Sequence, residues 1–469
     1  MSNLVSSLTR RELIKLGALA MAGTVLPATS AWAKRSSPLI GRRFFTYVGF
    51  VRANQLEVTR DHNIGADEAA INTPERVQMQ RDAFGKAFPG GRMTWALSWE
   101  ALNDTRAGYV QIRALMAKFH HDLGDEITFI PGGYFAPMYN SREEINKTLH
   151  DGLVLVSAVV GGGYRPKSVI AGYMSAANLA YLSQTEGIHV CQGSIWSQHD
   201  IDYGDGDGSV SYPYYPSTQH VLKPAQGKSD FVDCVNLDGW TVDFLSARSD
   251  GFSHGNSRLG LGPIETVGNH GLETGLKEQL HTSSIHYDDG FKRNGFAWLT
   301  AIWETALLDN KDLAPSLVTY GQTVQKRWPG VKAVSVGEFG ETWRAHFHDN
   351  SKWDYQFRER GSGIEGSDLN DEIYWLMNRE FRLALTRNWR DNTPWQVIDF
   401  TRYDLPAKEP ADASFDHPIR EWSLMNEINQ KQTRGAQDTP RPLSQLSFED
   451  QAIINKRYPE LTLILDSRS

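Results

Sequence analysis

Cysteine is scarce: the 469 residues hold two, Cys191 and Cys234. That excludes a disulfide framework and the C-x-x-C spacing of a structural zinc site. One disulfide or two buried free thiols both stay open. Positive charge is also short. Lys and Arg number 48 against 56 Asp and Glu, a formal net charge of -8. The electrostatic case for nucleic acid is therefore missing. Beyond the N-terminus no apolar run approaches the roughly 20 residues that a membrane span needs. Internal repeats and low-complexity tracts are absent. With 40% hydrophobic and 22% charged residues, the composition fits a soluble globular protein of one large domain or two ordinary ones.

The first 33 residues differ from the rest. Arg10-Arg11 sits in a polar start, an apolar run from Leu16 to Leu26 follows, and Ala31-Trp32-Ala33 supplies small residues for cleavage. That order predicts a secretory signal of the twin-arginine (Tat) type, with the mature chain starting near Lys34. The expected location is periplasmic or secreted, free of the membrane once the signal is cleaved. An uncleaved anchor and an amphipathic helix are the competing readings.

Aromatic residues make 11% of the chain, with 14 Trp. Several stand beside polar groups: Trp99-Glu100, Trp196-Ser197-Gln198, Gly239-Trp240 after Asp238, Trp303-Glu304 and Trp343-Arg344. Flat aromatic faces next to hydrogen-bonding groups suit sugar rings, although any one Trp can simply fill a core.

Short apolar runs alternate with helical patterns. Strands are expected at 46–51, 93–99, 126–130, 167–173, 187–192, 231–237, 332–338 and 395–400, with helices at 73–88, 106–121, from Ser141, 176–184, 296–307, 314–327 and 371–386. Repeated strand–helix units predict an α/β protein with a parallel sheet or barrel. From about 196 to 290 Gly, Asp, Tyr and Pro dominate, which predicts a long ordered insert building a binding face. The barrel is expected over 44–345, with a smaller C-terminal module or cap at 350–469.

The order of these units resembles the polysaccharide-deacetylase and related glycoside-hydrolase superfamily, an irregular (β/α)7 TIM-like barrel. Trp95 to Glu100 followed by Glu126 to Gly133, then Tyr164-Arg165-Pro166, then Gly187 to Asp200 carry the likeness over roughly 44–345. Asp205-Gly206-Asp207-Gly208, Tyr212-Pro213-Tyr214-Tyr215-Pro216 and Asn236-Leu237-Asp238-Gly239-Trp240 more closely resemble a secreted bacterial family of unassigned function. Deacetylases of this type hold a metal with an Asp pair at the first motif and His-x-x-x-His on the next loop. Here Glu100 follows Trp99, and Gly132-Gly133-Tyr134-Phe135 stands where the histidines would be. The resemblance then implies the glycoside-hydrolase branches, which use two carboxylates.

Such hydrolysis needs one protonated and one ionised carboxyl across the scissile bond. In a strand–helix barrel these sit at C-terminal strand ends. The catalytic candidates are Glu338 or Glu341, opposed by Asp238 or Glu100. Candidates for holding the sugar are Trp99, Trp196, His199, Asp202, Tyr214, Trp240, Asp243, Arg258, His286 and Trp343. No cofactor or metal is expected, with Asp205 and Asp207 as weak calcium candidates because no Glu closes the loop. The expected partner is a carbohydrate substrate; the sequence leaves the oligomeric state open. The leading expectation is an exported glycoside hydrolase. A metal-dependent deacetylase-like enzyme using the Asp-rich loop and His286, and a glycan-binding protein on a degenerate barrel, are the alternatives.

Overall fold

The segment RFFTYVGFV is apolar almost throughout and buried along its length, as a parallel strand covered on both faces must be. It forms β1 (Arg43–Val51) in a computed structural model that describes residues 37–197, 205–248, 259–425, 427–429 and 440–461. A hairpin, β2 (Asn54–Glu57) and β3 (Asn63–Asp67), follows it. The barrel continues with β4 (Thr94–Leu97), β5 (Glu126–Phe129), β6 (Val169–Ile170), β7 (Val190–Ser194), β8 (Val235–Asp238) and β9 (Ala297–Glu304), and a short β10 (Lys332–Val334) comes last.

All of these barrel pairings are parallel. One edge of β1 carries β9 along nearly its whole length. The other edge is shared end to end: β10 opposes Phe44–Thr46, and β4 opposes Val48–Val51. β5 extends this arc beyond β4, and β6, β7 and β8 form a second arc. Hydrogen bonds bridge the arcs. The Thr128 hydroxyl donates to the Ser168 carbonyl at 2.6 Å, and the Thr241 amide donates to the Thr300 carbonyl at 3.1 Å. The result is the irregular α/β barrel expected from the sequence.

Helices cover the outside: α1 (Pro74–Ala87), the short α2 (Trp99–Asn103), α3 (Ala107–Leu123), α4 (Arg142–Val160) and α5 (Ala176–Gln184). Thr73 caps α1 with proline in its first turn, and Ser141 with Glu144 forms a capping box on α4. Further along come α6 (Asn269–Ser284), α7 (Leu313–Arg327) and α8 (Val336–Arg344). α8 closes the N-terminal end of the barrel. Its Val336 amide donates to Thr94 Oγ1 and its Gly337 amide to Glu126 Oε2, both at 2.9 Å. Phe339 stacks on Trp298 with ring centroids 4.8 Å apart.

The C-terminal part is an antiparallel sheet in the order β11 (Asp354–Arg360), β12 (Asp371–Asn378), β13 (Phe381–Asn388) and β14 (Gln396–Arg402). Side chains alternate between its faces. Phe357, Ile373, Trp375 and Met377 join the main core, whereas Leu376, Phe381, Leu383 and Leu385 meet α9 (Phe448–Arg457) in a second, smaller core.

Three expectations are corrected here. Residues 296–307 are strand β9, not a helix: a strand buried on both faces shows a continuous apolar run, and periodicity cannot tell that from a buried helix. Residues 371–386 are the hairpin of β12 and β13, turned where Asn378 Oδ1 accepts the amides of Glu380 and Phe381. The strand expected at 332–338 stops at Val334, because Ser335 caps α8 through the Glu338 amide. Cys191 and Cys234 are buried free thiols. Among the described residues no helix is long and apolar enough to cross a membrane. Residues 1–33 lie outside the described residues.

Candidate active site

The C-terminal ends of the strands converge on a cavity of about 610 Å³. Phe50 ends β1, Ser98 follows β4, Tyr134 follows β5, Trp240 follows β8 and Glu304 ends β9; the β2–β3 hairpin adds Glu57. One wall is aromatic. Phe50 and Tyr134 stack at 6.2 Å between centroids, and Tyr134 meets Trp240 edge-on at 5.9 Å.

Three carboxyl groups, Glu57, Glu265 and Glu304, line this cavity, and Glu57 and Glu304, which sit at the barrel strand ends and the hairpin, have different surroundings. Glu57 is buried. Its Oε1 accepts from the Ser98 hydroxyl and from the Ala53 amide at 3.3 Å, and its Oε2 accepts from the Glu100 amide at 3.1 Å. Burial outweighs these bonds and pushes its pKa up to about 7. Glu304 is paired with Arg52, whose Nη1 lies 3.5 Å from Glu304 Oε1. Arg52 also holds Glu68 at 2.9 Å. Gly133 makes the arrangement possible: a Cβ there would sit 2.4 Å from the Glu57 carbonyl oxygen. The glycine pair in the loop after β5 lets the hairpin lie against that loop and brings Glu57 over the strand ends.

Of the expected residues, Trp240 lines the cavity and Glu100 stands beside it. Glu100 is half-buried and accepts from Asn63 Nδ2 at 3.0 Å. Burial raises its pKa, with the charges of Asp104 and Asp61 adding to the effect. Trp99 is half-buried next to it, with the Arg60 guanidinium 5.4 Å over its ring.

The other catalytic candidates are not brought to the cavity. Glu338 lies in the first turn of α8 at the N-terminal end of the barrel, 2.6 Å from Arg92. Glu341 on the same helix pairs with Arg344, which also holds Asp233. Asp238 does end β8, but it is buried and accepts the amides of Trp196 at 3.1 Å and Gly239 at 2.8 Å. Burial pushes its pKa well up. It organises a turn and does not line the cavity.

Most of the expected sugar-holding residues belong to the core. Trp196 is buried edge-on against Trp375 at 5.0 Å, and Trp343 is buried with Nε1 donating to the Tyr355 hydroxyl. Buried Tyr214 donates to the Val221 carbonyl. His286 does not line the cavity. It is buried, stacks on Tyr212 and shares a 3.0 Å hydrogen bond with that hydroxyl; burial lowers its pKa to about 3, so it is neutral. Asp243 is buried beside His281 and Glu359.

The weak calcium candidates Asp205 and Asp207 lie away from the cavity. Both are buried, and Asp207 faces Arg382 at 3.0 Å and Arg248 at 3.1 Å, so two guanidiniums occupy the place a cation would take. His199, Asp202 and Arg258 lie outside the described residues. Glu57, Arg52, Tyr134 and Glu304 were missed. Glu304 carried a usable signal, a carboxylate ending an apolar run, which the helical reading of 296–307 concealed.

The chain is 46% identical to a protein from Parabacteroides distasonis described as a candidate glycoside hydrolase/deacetylase; the match covers 91% of this chain and 100% of that one, with a TM-score of 0.86. A GH57-type branching enzyme from Pyrococcus horikoshii matches at 11% identity over 64% of this chain and 70% of its own, TM-score 0.41. A candidate polysaccharide deacetylase from Pseudomonas aeruginosa matches at 12% over 65% and 92%, TM-score 0.40. Among curated proteins none matches. Residues 382–461 match DUF3864, a domain of unknown function with a solved structure. Residues 37–377 match DUF3863, likewise a domain of unknown function with a solved structure, and the chain belongs to that family.

Proposed function

We propose that this chain is an exported carbohydrate-active enzyme, a glycoside hydrolase that works through Glu57 and Glu304 in the barrel cavity. The observation that carries the reading is the pair of unlike carboxyl groups beside an aromatic wall. Glu57, with its pKa near 7, keeps a proton available to the leaving oxygen at neutral pH. Glu304, ion-paired with Arg52, is the carboxylate that acts as nucleophile or as base for water. Trp240 and Tyr134 hold the ring by stacking. The 46% identical relative described as a candidate glycoside hydrolase/deacetylase supports the carbohydrate assignment.

The test is product analysis with the mature chain on a panel of polysaccharides and oligosaccharides. New reducing ends that disappear in Glu304→Gln and Glu57→Gln are expected. Acetate release without new reducing ends would replace the reading with a deacetylase, and sugar binding without any product would replace it with a glycan-binding barrel. Export rests on Arg10-Arg11 and the segment after it. Changing both arginines to lysine should leave the protein in the cytoplasm; undiminished export of that variant would refute the Tat route.

A further inference from the structure

Away from the cavity, three carboxyl groups and an imidazole meet where the barrel joins the C-terminal sheet. Asp243 comes from the loop after β8, Glu278 and His281 from α6, and Glu359 from β11. Asp243, Glu278 and Glu359 are buried. His281 Nε2 lies 3.5 Å from Glu359 Oε1 and 3.9 Å from Asp243 Oδ2. The donor atoms of these three residues all lie within 4.8 Å of one another. Among the described residues no lysine or arginine pairs with any of the three acids.

Two atoms give the cluster its meaning. Glu278 Oε2 is fully buried and has no hydrogen-bond partner, and its carboxyl faces Asp243. His281 Nε2 also has no hydrogen-bond partner, although its side chain keeps 27% exposure. The remaining oxygens are already engaged. Asp243 Oδ1 accepts the Ser246 amide at 2.7 Å, Asp243 Oδ2 the Ser367 hydroxyl at 2.8 Å, and Glu359 Oε2 the Phe244 amide at 2.9 Å. Glu278 Oε1 accepts from the Thr282 hydroxyl at 3.2 Å. These bonds orient the carboxyls as outer partners orient metal ligands. The same Ser367 hydroxyl lies 3.5 Å from Glu359 Oε1, so the converging donors are His281 Nε2 and the remaining lone pairs of Glu359 Oε1 and Asp243 Oδ2.

We infer that Asp243, His281 and Glu359 bind one divalent transition-metal ion, with zinc the best match, and that the ion fastens the barrel to the C-terminal sheet. A zinc ion with ligands about 2.1 Å away sets neighbouring donors roughly 3.4 Å apart. His281 Nε2 lies 3.5 and 3.9 Å from the two carboxylates, and the three donors fall within 4.8 Å of one another, so the carboxylates draw in on binding the ion. An imidazole among the donors favours zinc or manganese over calcium and magnesium, which take oxygen. The ion would meet carboxylates that otherwise face no lysine or arginine, only the His281 imidazole. The half-open imidazole gives it a way in. Burial of the acids makes the site structural, and its test does not depend on the reaction in the cavity.

The experiment uses the full mature chain, dialysed against a chelator and then titrated with zinc chloride. One equivalent should be retained through gel filtration, and the melting temperature should rise with added zinc. His281→Ala should weaken binding at least tenfold while its circular dichroism stays that of the parent. Glu359→Gln, which keeps the volume, should do likewise. No retained zinc and an unchanged melting temperature in the parent chain would overturn the inference, as would one equivalent bound undiminished by both variants.

Discussion

Glu57 separates a buried acid with a role from one without. Asp238 and Glu57 are both buried with raised pKa, but only Glu57 reaches the cavity. A general acid with a pKa near 7 must lose activity as pH rises through that value. The same proton affects stability. The folded chain holds it up to about 7, whereas the unfolded chain releases it near the ordinary value of 4.5. Its contribution is complete below about 4.5 and is lost as pH rises through 7. Melting curves across that range should therefore fall less steeply in Glu57→Gln than in the parent; identical slopes would show that Glu57 is ionised throughout. Little of this was legible in the sequence. Asp238, Glu338 and His286 carry the right chemistry and sit near expected strand ends or loops, but chemistry alone does not say which way a side chain faces. His286 looks like a polar loop residue and is held instead by the stacked Tyr212 hydroxyl.

Elements with local signals were readable, and those defined by their neighbours were not. Thr73 and Ser141 announce α1 and α4 through their capping chemistry. β9 and the β12–β13 hairpin carry apolar runs whose type is decided by the strands beside them. α8 shows the cost of one missed cap: Ser335 ends the strand four residues early and carries Glu338 to the opposite end of the barrel. The loop after β5 acts on the site through Gly133. In Gly133→Ala the added methyl meets the Glu57 and Val58 carbonyl oxygens at 2.4 and 2.5 Å, so the hairpin must move. A shift near 1 Å at a reacting group costs on the order of 100-fold in rate. Gly133→Ala should therefore lose kcat while its far-ultraviolet circular dichroism stays intact; full activity would show that the position of Glu57 does not matter.

At the scale of the molecule, the alternation of strands and helices was enough to predict the barrel. The union of barrel and C-terminal sheet was not legible, because its parts lie far apart in the chain. Arg382 on β13 and Arg248 meet Asp207 and Asp399, all four fully buried. This charge-balanced network, together with Trp196 against Trp375, binds the sheet to the insert. Arg382→Met leaves two buried carboxylates sharing one guanidinium and should cost about 3–5 kcal/mol in denaturant unfolding; a change below about 1 kcal/mol would mean that the network relaxes or hydrates. The boundary between the two family matches, at 377 and 382, falls in the β12–β13 turn, so both domains contribute strands to one sheet. The central claim is that chemistry takes place at the C-terminal strand ends. The measurement that tests it most directly compares kcat/KM of Glu304→Gln and Glu338→Gln on the substrate found with the parent chain. A loss of at least about 100-fold is expected for Glu304→Gln, with activity near that of the parent for Glu338→Gln; an active Glu304→Gln beside an inactive Glu338→Gln would contradict chemistry at the strand ends.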